Sequence, residues 1–145
     1  MKRRQAIKTL GSTVAATGIM ATPAIASSGD YEVAYEAVWR NTGRQYAVEI
    51  ELEWSETGGE ITDGSVSGDT STSFEWSFNE YTLQDEEEKQ LQFVAYREAE
   101  FEQNIPFIGS TERLGLEVVG LTGGDSNANI QLDTSSGGRT VINEL

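Results

Sequence analysis

The chain has 145 residues, 24 of them acidic and 10 basic, with no cysteine and no histidine. That composition excludes disulfides, Ser–His and Cys–His nucleophile pairs, and the ordinary zinc and copper sites. It also makes nucleic acid and anionic membrane surfaces poor partners, because both demand clustered lysine and arginine.

The first 26 residues have the three parts of an export signal. Lys2, Arg3, Arg4 and Lys8 form a basic start, a mildly apolar middle follows, and Ala24-Ile25-Ala26 supplies small residues for cleavage before Ser27. Pro23 would leave the cleavage segment extended. The middle, with Gly11, Ser12, Thr13, Thr17 and Gly18, is too short and polar for a permanent anchor. No stable membrane span is therefore expected after cleavage. Removing 26 of 145 residues leaves 119, the size of one domain, at residues 27–145. This part keeps all 24 acidic residues but only six basic ones, a net charge of −18. Thirteen aromatic residues argue against disorder. Such a charge density suits molar salt, where the screening length falls to about 3 Å.

The run Arg3-Arg4-Gln5-Ala6-Ile7-Lys8 resembles the twin-arginine export motif. Together with the acidic, cysteine-free body, the leader is similar to those of exported proteins of halophilic archaea. The resemblance covers leader and composition only, and implies a secreted or extracellular product that folds before it leaves the cell. It implies no active site for residues 27–145.

In chain order, Tyr31 to Arg40 alternates apolar and polar residues as a first strand, and Asn41-Thr42-Gly43-Arg44 supplies a turn. Tyr46 to Trp54 follows as its hairpin partner. Val48, Ile50, Leu52 and Trp54 fall on one face, and Glu49, Glu51 and Glu53 on the other, spaced about 7 Å apart. Ser55 to Ser73, rich in Gly, Ser, Thr and Asp, reads as a long irregular run with a short edge strand near Ile61 to Val66. Thr72 to Tyr81 is the next strand, and Asp85 to Lys89 is a solvated charge run. Leu91 to Phe101 has two apolar faces, which predicts a central strand, and Pro106 ends its pairing. Leu114 to Leu121 and Ala128 to Leu132 predict a hairpin about Gly123-Gly124-Asp125, and Thr140 to Leu145 a closing edge strand. Seven to eight short strands without an amphipathic helix predict an all-β chain, an antiparallel β-sandwich of immunoglobulin-like or jelly-roll type.

The chemistry on offer is sparse. Asp125, Asn127 and Asn129 place oxygen ligands at alternate positions, as the first half of a calcium loop does, so calcium is the one cofactor to weigh. Ile130 stands where such a loop needs glycine, and Ser136 where it needs a bidentate glutamate, so a plain hairpin turn is the simpler expectation. Trp39, Trp54 and Trp76 lie on apolar strand faces and are expected in the core rather than on a ligand platform. Paired carboxylates suffice for glycoside hydrolysis, but 24 candidates single out none. The expectation is an exported, non-catalytic module for binding, adhesion or surface assembly in high salt, with a protein or glycan surface as partner. The alternatives are a secreted effector, such as an antimicrobial protein or protease inhibitor using the long loop at 55–73, and a carboxylate hydrolase.

Overall fold

Thr42 and Gly43 both take positive φ, 47° and 83°, and so turn the chain back on itself in two residues. Turns with positive φ at both centres match the right-handed twist of the strands they join. The outcome is a ladder running unbroken from Asn41↔Arg44 to Gly29↔Glu56. The computed structural model describes residues 9–10, 28–73, 75–105 and 109–145. Among them are nine strands: β1 (Thr9–Leu10), β2 (Gly29–Asn41), β3 (Arg44–Thr57), β4 (Glu60–Thr72), β5 (Trp76–Glu88), β6 (Gln92–Gln103), β7 (Thr111–Leu121), β8 (Ser126–Asp133) and β9 (Arg139–Glu144). The export residues Arg3, Arg4, Lys8, Ala24 and Ala26, like Pro106, lie outside the described residues.

The strands form two antiparallel sheets packed as a sandwich. In the first, β2, β3 and β4 follow in order, with β1 and β9 both on the free side of β2. The second is the meander β5-β6-β7-β8. The chain changes sheet after β4 and again after β8. Gln45 anchors the first crossing: its N–H donates to the Ser73 hydroxyl (2.8 Å), and its carbonyl accepts from the Ser73 N–H. Arg44 pairs with Glu75 at the same place.

Side-chain alternation on β3 sets the core. Val48, Ile50, Leu52 and Trp54 are at most 2 % exposed and meet the second sheet at Phe93, Ala95, Ala99 and Phe101 of β6 and Leu114, Leu116 and Val118 of β7. Burying each large side chain stabilises the fold by about 1.5–3 kcal/mol. Aromatic rings close one end of this core: Tyr46 stacks on Trp39 at 4.8 Å and on Phe101 at 4.5 Å, with Trp76 edge-on. Tyr31 tilted against Trp54 closes the other end. All three tryptophans are buried, as their strand faces predict.

Glycines set the sheet spacing. A methyl group at Gly64 would fall within 2.8 Å of the Phe93 ring, and one at Gly120 within 2.8 Å of the Trp54 ring. Each ring therefore rests on bare backbone of the facing sheet, a close approach that only glycine permits.

Two expectations are corrected. The run 55–73 is not irregular, because β4 pairs with β3 along its whole length. The stretch expected as a short edge strand, Ile61 to Val66, is its first half, with Ile61 in the core. Beyond Val66 the inner positions are small (Gly68, Thr70 and Thr72), as is Gly64, so β4 loses the apolar alternation that identifies a strand. Backbone bonds to β3 and the rings above its glycines hold it instead. Second, no strand runs from Thr72 to Tyr81: pairing stops at Thr72 and restarts at Trp76 in the other sheet. The charge run Asp85–Glu88 is the end of β5, a sheet edge with two register shifts, and charges and bulges are what protect such edges. The strands are also longer than expected, 12–14 residues for β2 to β6.

Candidate functional site

Residues of β6 and β7 that point away from the core form a shallow floor on the outer face of the second sheet. Val94 lies opposite Val119, and Tyr96 opposite Glu117. The Tyr96 ring runs across β7 at Gly115, where an added methyl would overlap its hydroxyl end. Its O–H donates to the Glu98 carboxylate at 3.0 Å. Burial first, and then that hydrogen bond, push its pKa up to about 12, so the phenol stays neutral at ordinary pH.

Around this floor lies a groove of about 610 Å³ crossing all four strands. Asp85, Glu86 and Glu87 bound it on β5, Glu117 stands within it, and Asn127 and Gln131 bound it on β8. Gln131 donates to Glu117 at 3.3 Å. Lys89, the one cation in the lining, lies 3.9 Å from Glu87. Apolar floor and polar rim together make a surface suited to holding an extended ligand.

A smaller groove of about 410 Å³ lies on the first sheet, between Asp30, Glu32, Glu53 and Asp63. Glu32 faces Glu53 directly across the strands, and carboxylate oxygens of Glu32, Glu51 and Glu53 lie within 4.8 Å of one another. Three carboxylates on one side supply only part of the six to eight oxygens that calcium takes.

The structure does not draw Asp125, Asn127 and Asn129 together. Asp125 closes the turn, its carbonyl accepting from the Leu121 N–H at 2.8 Å. Asn127 and Asn129 are exposed on alternate positions of β8, and side chains two apart on a strand stand about 7 Å from each other. Asn127 instead borders the large groove.

Two buried charges escaped the sequence reading. Glu56 is 2 % exposed and accepts the Gly123 N–H at 2.6 Å, joining β3 to the β7–β8 turn. Beside it the Trp54 indole N–H donates to the Leu121 carbonyl at 3.0 Å. Arg97, 8 % exposed, packs over Gly68 between the sheets and donates to the Tyr96 carbonyl at 3.1 Å. The one available signal for Arg97 was its odd-numbered place among Phe93, Ala95, Ala99 and Phe101.

No family model, no curated protein and no solved structure matches the chain significantly.

Proposed function

We propose that this chain is an exported, non-catalytic extracellular module for binding, adhesion or surface assembly, working in concentrated salt. The observation that carries this reading is the large groove: an apolar floor inside a polar rim on the outer face of a sheet whose inner face packs the core through β6 and β7. The absence of histidine and cysteine from the sequence weighs against nucleophilic catalysis beside it.

Register supports the salt requirement. Glu32 is directly opposite Glu53, Glu36 opposite Glu49, and Glu80 opposite Glu100. Like charges facing each other across strands destabilise a sheet, and molar salt mutes that repulsion. The leader supports export, and no helix of the described residues is long and apolar enough to cross a membrane. The secreted-effector alternative loses its motive, because the loop it needed at 55–73 is strand β4.

Fractionating cultures of the producing cells tests the role. Recovery of the chain, shortened by its leader, with the cell envelope or in filaments is the expected result. Retention in the cytoplasm, or turnover of a polysaccharide by the purified chain, would refute it.

A further inference from the structure

We propose that the groove on the outer face of the second sheet binds an extended peptide segment rich in lysine or arginine. The inference rests on the binding-module reading and adds the partner's chemistry.

Charge complementarity selects this occupant. Asp85, Glu86, Glu87 and Glu117 contribute four negative charges to the lining and Lys89 one positive charge, a local balance of −3. A neutral glycan would meet no charges that require so one-sided a rim, and a second copy of this acidic chain would meet repulsion. The floor adds to the argument. Lysine and arginine carry apolar stems beneath their charged ends, so the stems fit Val94, Val119 and Tyr96 while the heads reach the rim. Tyr96 is a suitable seat because its hydroxyl is already engaged by Glu98.

Dimensions point to an extended segment. Four strands at about 4.8 Å spacing make the groove about 14 Å across, the length of about four extended residues. Asp85 on β5 and Glu117 on β7 are level with each other on either side of Tyr96, two strands, about 10 Å, apart. That distance suits cations two or three positions apart on an extended chain.

The probe is fluorescein-labelled tetra-arginine, titrated into the full chain in about 0.5 M and about 3 M KCl, with circular dichroism confirming the fold in each. Saturable binding is expected, weaker at the higher salt but retained there, because KCl screens the rim and leaves the apolar contacts beneath the side-chain stems in place. The near-isosteric triple variant Asp85→Asn, Glu87→Gln, Glu117→Gln should weaken binding tenfold or more. The control triple Glu36→Gln, Glu53→Gln, Asp69→Asn removes as many charges from the first sheet and should leave affinity within about twofold. Equal losses in the two triples would overturn the proposal, since attraction would then belong to the whole chain. So would no binding at all, saturable binding of cellohexaose in the groove, or self-association that the groove triple abolishes. A chain that ignores tetra-arginine yet is held by the cell envelope loses this partner and keeps its role.

Discussion

Replacing Glu56 with alanine should unfasten the β7–β8 turn from the first sheet. The Glu56 carboxylate is 2 % exposed and holds the Gly123 N–H at 2.6 Å, and Gly123 takes a positive φ of 89° in a turn whose next residue, Gly124, is buried. The Tyr31 hydroxyl borders the same carboxylate; burial first, then the Glu56 charge, raise its pKa. A hydrogen bond to a charged group is worth about 1.5–3 kcal/mol, and because Gly123 is itself exposed its N–H can turn to water when the carboxylate is removed. We expect Glu56→Ala to cost about 1.5–3 kcal/mol, which lowers Tm by roughly 4–12 °C for a domain of this size. Glu56→Gln keeps an acceptor oxygen in the same place and should cost about half as much. Denaturant titration in dilute buffer and in molar KCl is the assay. Buried pairs are screened far less than exposed ones, so the cost should be the same in both. A Glu56→Ala chain within about 0.5 kcal/mol of the parent, or a cost that vanishes in salt, would refute the reasoning.

Other consequences can be measured on the same preparations. Gly120→Ala should destabilise by about 1–3 kcal/mol, because its methyl would lie within 2.8 Å of the Trp54 ring; a neutral result in thermal melts would show that the sheets can separate there at no cost. Glu53→Gln should stabilise the fold by about 0.5 kcal/mol in dilute buffer and by nothing measurable in molar KCl, since Glu53 faces Glu32 across the ladder. Destabilisation in dilute buffer would contradict this. All five tyrosines have raised pKa values with burial as the first cause. Their contribution to stability is complete below about pH 10 and is lost as pH rises through the folded-state values, because the unfolded chain releases those protons first. Phenolate absorbance should therefore rise together with unfolding, and ordinary titration of the folded chain near pH 10 would refute it.

The sandwich was legible where one strand face is apolar and the other is not. Tyr46 to Trp54 shows this best, with its four apolar side chains inside and its three glutamates outside. β6 and β7 were legible for the same reason. β4 was hidden because, Ile61 and Val66 apart, its inner face is made of glycine and threonine, which pass beneath Phe93 and Arg97 rather than being buried themselves. The change of sheet near Ser73 was hidden because Thr72 and Trp76 continue one apparent alternation across a break in hydrogen bonding. The groove was half legible: Val94 and Tyr96 showed as a second apolar face on a central strand. Its carboxylates come from strands whose register only the folded sheet defines. Glu56 gave no signal at all, since one glutamate among 24 is distinguished only by the turn it meets 67 residues later.

The pairing of β2 with β9 has a consequence for how the chain is made. Trp39 lies opposite Thr140, so one side of the first long strand must wait for residues synthesised about a hundred positions later. During that wait β2 presents bare amides, beside Val38 and Ala34, to any neighbouring nascent chain, and open edges of this kind invite mispairing. The glutamates at positions 32 and 36 make two such edges repel each other. Their density on this strand thus protects the half-made polypeptide as well as keeping the finished one dissolved.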